Sequence, residues 1–155
     1  MNTEEVAQKV VELVRKQAWH EALDTLYDKD IVSVEARASD GDSPEKRGID
    51  QVRGKTDWWV NAMEVHSFKA NGPFVAHDRF VVQYDADVTD KSSKKRMQLS
   101  EVGVYTVKNG KIVREEFLPL AGKMPIGPTA KMAVPHLGLV EPPPAIQQIG
   151  FILSR

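Results

Sequence analysis

A chain of 155 residues, 41% hydrophobic and 28% charged, has the make-up of one soluble globular domain able to bury most of its apolar surface. Its formal net charge of -1 supplies no field to draw nucleic acid or an anionic membrane, and the absence of cysteine excludes disulfides and thiolate metal sites. Glu4, Glu5 and Glu12 interrupt the start of the chain where a secretory leader would be apolar. Nowhere do the roughly eighteen consecutive apolar residues of a membrane span occur, so a cytoplasmic protein is expected.

Residues 4 to 18 read as a helix capped by Asn2 or Thr3, with Glu4 and Glu5 at the positive end of its dipole and Val6, Val10, Leu13 and Val14 as one apolar stripe. Trp19 to Tyr27 reads as a short second helix, and Ile31 to Glu35 as a strand. A polar loop, Ala38 to Arg47, carries the turn chemistry Asp40-Gly41-Asp42-Ser43-Pro44. A third helix is expected from about Ile49 to Met63, with Ile49, Val52, Thr56, Trp59 and Met63 at helical spacing.

From Glu64 onward the pattern alternates. Val65 to Ala70 reads as a strand, Asn71-Gly72-Pro73 as a break, Phe74 to Ala76 as a continuation and His77-Asp78 as a turn. Phe80, Val82, Tyr84, Ala86 and Val88 alternate against polar neighbours, as in a half-buried strand. The basic run Lys91 to Arg96 reads as a solvated loop. Two more strands flank Asn109-Gly110. Helices first and a meander afterwards make the class α+β, with three N-terminal helices packed on a strongly curved antiparallel sheet.

The register of the last hairpin decides which side chains share a face. A three-residue loop with Gly110 forming a bulge is favoured, because Lys108 suits its type I turn. It places Leu99, Glu101, Gly103, Tyr105, Val113, Glu115 and Phe117 together, with Glu101 and Glu115 as diagonal neighbours roughly 7–8 Å apart. A two-residue type I′ turn is the competitor and would bring Val102 and Val104 to the face of Glu115. Two carboxylates in a partly dry cavity acquire separated pKa values, which yields an acid and a base from one residue type. The plainer alternative is that Arg47, Arg79 or Arg114 neutralises one of them, or that both sit at a wet rim.

Residues 119 to 155 differ in kind, holding seven of the nine prolines and one acidic residue, Glu141. Pro142-Pro143-Pro144 is extended by its rings, yet Met132, Val134, Leu137, Leu139, Ile146, Ile149, Phe151 and Ile152 make the segment apolar. It reads either as a disordered extension or as an arm over its own sheet or a dimer partner.

Residues 4 to 118 resemble the SnoaL-like (polyketide-cyclase-like) group of the nuclear-transport-factor-2-like superfamily. The resemblance rests on the amphipathic first helix, on Glu21-Ala22-Leu23 through Leu26-Tyr27-Asp28-Lys29-Asp30-Ile31, on Arg47-Gly48-Ile49, and on Tyr105-Thr-Val-Lys-Asn-Gly-Lys-Ile-Val113. It implies a cone around an apolar pocket, commonly dimeric, that serves many activities. It also implies a carboxylate base at Glu35, where similar ketosteroid isomerases keep theirs. Their acid falls at Gly103 and their first-helix tyrosine near Val11; the acid/base positions of polyketide cyclases fall near Glu115 and Phe117.

The expected domain is therefore a cone over 1–118 followed by the 119–155 extension. Glu35, Glu101 and Glu115 are the candidate catalytic residues; Tyr27, Trp59, Met63, His66, Leu99, Tyr105, Val113 and Phe117 are the candidate pocket residues. His66 reads as either a core histidine or a base. Four scattered histidines and the lack of a glycine-rich phosphate loop point to no metal and no nucleotide cofactor. The function expected is binding of a small hydrophobic molecule, with cofactor-independent isomerase, cyclase or lyase chemistry, by a homodimer. The alternative is a non-catalytic dimeric scaffold or ligand-binding adaptor.

Overall fold

The computed structural model of the protein describes residues 1–38, 42–123 and 126. Helix α1 (Thr3–Arg15) opens on a reciprocal cap: the Glu5 N–H donates to Asn2 Oδ1 at 2.9 Å and the Asn2 N–H to Glu5 Oε2 at 3.1 Å. Its stripe of Val6, Val10, Leu13 and Val14 is buried as the spacing predicts. The helix stops at Arg15, not at residue 18, because Lys16 folds its N–H back to Leu13 and Gln17 takes a left-handed φ of 56°. Helix α2 (Trp19–Leu26) runs directly into β1 (Tyr27–Val34), which starts four residues ahead of the expected strand.

A short strand, β2 (Glu45–Arg47), forms inside the expected polar loop and pairs antiparallel with β1. Helix α3 (Ile49–Ala62) follows and buries Val52 and Trp59. The meander is β3 (Met63–Ala76), β4 (Arg79–Asp90), β5 (Arg96–Lys108) and β6 (Lys111–Pro119). β3 is continuous: the expected break at Asn71-Gly72-Pro73 is absorbed as an irregularity of the ladder between Asn71 and Phe74. On β4 the inward set Phe80, Val82, Tyr84, Ala86 and Val88 is buried, as alternation requires.

The six strands lie in the order β2-β1-β6-β5-β4-β3. The sheet is antiparallel apart from one pairing: β1 runs parallel to β6, because the whole meander intervenes before β6 returns beside β1. The helices cover one face, with α1 across β3, β4 and β5 and α3 against β1 and β2. No helix among the described residues is long and apolar enough to cross a membrane.

The last hairpin turns as the competing type I′ reading expects and departs from that register two pairs later. Lys108 pairs with Lys111, leaving a two-residue loop in which Asn109 and Gly110 carry φ of 51° and 74°. These residue types tolerate left-handed backbone, so the type I′ turn forms and Lys108 stays in the strand. A bulge then follows: Val107 pairs with Ile112, but Thr106 with Arg114. The extra residue is Val113, and it flips the facing of everything beyond it. Without the bulge Arg114 and Glu116 would point inward; with it Ile112, Glu115 and Phe117 do so. Glu101 therefore shares a face with Glu115, but Glu115 opposes Tyr105 and Glu101 opposes Pro119. The two acids lie further apart along the ladder than diagonal neighbours.

Of the extension expected over 119–155, Pro119 ends β6, and 120–123 and Ile126 are described. The rest, and with it the question of an arm, lies outside the described residues.

Candidate functional site

Between the helices and the concave face of the sheet lies a mainly apolar cavity of about 140 Å³. α1 and α2 contribute Val14, Trp19, Ala22 and Leu23, and α3 contributes Val52, Thr56 and Trp59. Phe68, Tyr84, Tyr105 and Phe117 line it from the strands, and Ile126 closes one side. Phe68 meets Trp19 edge-on at 4.7 Å between ring centroids, and Tyr105 stacks on Phe80 at 4.7 Å. These contacts fix the aromatic walls.

Glu35, Glu101 and Glu115 all open on this cavity, and each is nearly fully buried. Glu35 stands just past β1, two residues beyond the inward Ser33. Glu101 and Glu115 stand on β5 and β6. Burial of charge requires partners, and the three acids differ in theirs. Glu115 accepts from the Tyr27 hydroxyl at 2.7 Å through Oε2, and from the Ser33 hydroxyl at 2.6 Å and Lys55 Nζ at 3.4 Å through Oε1. Glu35 accepts from Lys55 through Oε1. Glu101 forms no salt bridge among the described residues; its Oε2 accepts the Ile126 N–H at 2.9 Å.

Burial pushes the Glu101 carboxyl well above the usual carboxylate range, and the negative charge of Glu35 adds to this; the Ile126 N–H and Lys55 offset part of it. Burial also raises Glu35, with Lys55 pulling it back. For Lys55 burial acts against the charged form, but the carboxylates of Glu115 and Glu35 outweigh it, so the ammonium is held above the ordinary lysine value. Tyr27, Tyr84 and Tyr105 are all raised, first by burial, and remain neutral donors. The Tyr84 and Tyr105 hydroxyls are 2.7 Å apart.

Of the residues singled out by sequence, Tyr27, Glu35, Trp59, Glu101, Tyr105, Glu115 and Phe117 border the cavity. Met63, His66, Leu99 and Val113 do not border it. Met63 and Leu99 are core residues. Val113 is the bulge residue. His66 falls at a bulge between Val65 and Ser67, which turns it outward to an exposed contact of 2.7 Å with the Thr89 hydroxyl.

Sequence reasoning missed Lys55, Ser33 and Tyr84. The cation beside the acids is Lys55 and none of the three arginines considered: Arg114 pairs with Glu116 and Arg47 with Glu45. The signal for Lys55 was present, since residue 55 lies three after Val52 and four before Trp59, on the apolar stripe of α3.

A family described as SnoaL-like domain matches residues 1–118. A candidate SnoaL-like polyketide cyclase [carbohydrate phosphatase] from Mesorhizobium loti is 37% identical, with 76% of this chain and 98% of that chain covered and a TM-score of 0.70. A protein of Burkholderia pseudomallei described as NTF2-like and of unknown function shares the fold at 21% identity, covering 86% of this chain and 96% of that one, TM-score 0.63. TerC, co-crystallized with polyporic acid, shares it at 17% identity over 76% and 91% of the two chains, TM-score 0.59. No curated protein matches the chain.

Proposed function

The chain belongs to the SnoaL-like family, and from that premise we propose that its cavity binds a small hydrophobic carbonyl compound and acts on it by acid–base chemistry. The reaction class is that of a cofactor-independent isomerase, cyclase or lyase. One observation carries this reading: acids from the end of β1, from β5 and from β6 converge on one mainly apolar hollow. A cavity of about 140 Å³ suits a ligand portion near the size of one benzene-like ring. The polyporic acid held by TerC supports a small-molecule ligand in this fold.

In the proposed chemistry Glu35 removes a proton from carbon adjacent to the carbonyl. Glu101, kept neutral by burial, donates to the oxygen on which charge develops, with the Tyr105 hydroxyl in support. Glu115 already accepts from Tyr27, Ser33 and Lys55, so the donor role falls to Glu101.

The test is native mass spectrometry of the purified protein, followed by thermal-shift measurements and deuterium exchange with a panel of monocyclic ketones. We expect at least one ketone to raise the melting temperature and exchange its α-protons, with Glu35→Gln slowing exchange about 100-fold or more. If no ketone shifts the protein and Glu35→Gln and Glu101→Gln behave as wild type, the enzymatic reading goes. The scaffold reading would then stand. It draws on the Lys55 ion pairs, which tie up Glu35 and Glu115, and on exposed Phe74, Val75 and Leu118, which suit a homodimer contact.

A further inference from the structure

We infer that Lys55 is a positioning residue: by bridging Glu35 and Glu115 it keeps the Glu35 carboxylate ionised and aimed into the cavity, and so divides the three acids into an anchor, a base and a proton donor. The inference rests on the acid–base reading for its catalytic meaning. Its physical content is a property of the protein alone.

Lys55 reaches inward from α3 with its side chain 13% exposed. An ammonium has three N–H donors, and three acceptors meet it: Ser33 Oγ at 2.7 Å, Glu35 Oε1, and Glu115 Oε1 at 3.4 Å. The Phe117 ring lies 4.9 Å from Nζ and covers the cation. Every proton of the ammonium is thus engaged, so its place is set by the fold.

The consequence appears in which carboxylate oxygens remain open. Both oxygens of Glu115 are occupied. Glu35 gives only Oε1 to Lys55, and among the described residues its Oε2 accepts nothing. Glu101 uses Oε2 for the Ile126 N–H, and among the described residues its Oε1 accepts nothing. The two open oxygens belong to the proposed base and the proposed acid.

The groups acting on Glu35 come from every side: Lys55 on α3, Lys46 on β2, Glu115 on β6 and Glu101 on β5. Lys46 has its own partner, Asp42, at 2.5 Å. With Lys55 gone, burial and the repulsion of Glu115 would push the Glu35 carboxyl further up, with only Lys46 opposing them. The pocket would then hold two carboxyls that both favour the neutral form.

The test is a carbon NMR titration of the glutamate δ-carbons in the full chain without added ligand. Lys55→Met is expected to move the Glu35 midpoint up by about one pH unit or more, while Lys55→Arg, which keeps the charge, returns it toward wild type. Should Lys55→Met not fold, the same comparison is made between Glu115→Gln and Glu115→Gln/Lys55→Met, since that double change leaves the formal charge of the cluster as in wild type. A Glu35 midpoint that stays in place when Lys55 is removed overturns the inference, even in a protein that binds and exchanges ketones. A midpoint that moves as expected in a protein that binds no ketone upholds the role of Lys55 and removes only the acid–base function.

Discussion

Glu101 is buried in the cavity wall with no salt bridge among the described residues, and its carboxyl is held well above the usual range by burial. In the unfolded chain the same group titrates near about 4.3. The native state therefore holds the proton more tightly, and its stability declines as pH rises from the unfolded value through the folded one, then levels off. Glu101→Gln keeps an acceptor for the Ile126 N–H and never ionises. The variant should match wild type near pH 4 and exceed it at pH 8, by about 1.4 kcal/mol for each unit of raised pKa. Urea unfolding at several pH values measures this, and a difference independent of pH would contradict it. The sequence reading placed Glu101 and Glu115 on one face through a bulge at Gly110, whereas the bulge that brings them together lies at Val113. Lys55 escaped because a lysine on a helix stripe ordinarily carries its charge out to water along its flexible stem.

Among the elements, β5 and β6 do most to shape the site. Gly103 on β5 has no side chain because Tyr105 lies over it: a Cβ there would sit 2.8 Å from the Tyr105 ring and its hydroxyl oxygen. Tyr105 cannot easily yield, being stacked on Phe80 and bonded to the Tyr84 hydroxyl at 2.7 Å. Gly103→Ala should cost about 1–3 kcal/mol and alter the near-ultraviolet circular dichroism of the tyrosines. An unchanged spectrum would show that Tyr105 has room the packing denies. On β6 the pairing shift at Val113 was beyond the reach of local patterning. Asn109-Gly110 announced a tight turn, but the bulge exists because Ile112 and Glu115, of opposite parity, both have places on the inner face.

Across the whole molecule, the cavity shares its walls with the apolar core, Leu23, Val52 and Trp59 belonging to both. Leu99 is 1% exposed and belongs to that core, not to the cavity lining. Leu99→Ala should lower stability by about 2–5 kcal/mol, a large part of the margin typical of a domain, without weakening the ketone binding proposed for the cavity at temperatures where it stays folded. Denaturant unfolding and a binding isotherm on the same preparation check both halves; a loss of affinity equal to the loss of stability would show that core and cavity are one unit.

By itself the sequence determined the α+β class, the order of helices before a meander and the inward alternation of β4, because these follow from local periodicity and from residues that carry a fold's signature. Tertiary structure alone decided the parallel pairing of β1 with β6, the bulge at Val113, the outward turn of His66 and the burial of Lys55 between two acids. Each depends on which distant segment comes to lie alongside. A charge, a bulge or an edge has no preferred side until its neighbour across the sheet is in place.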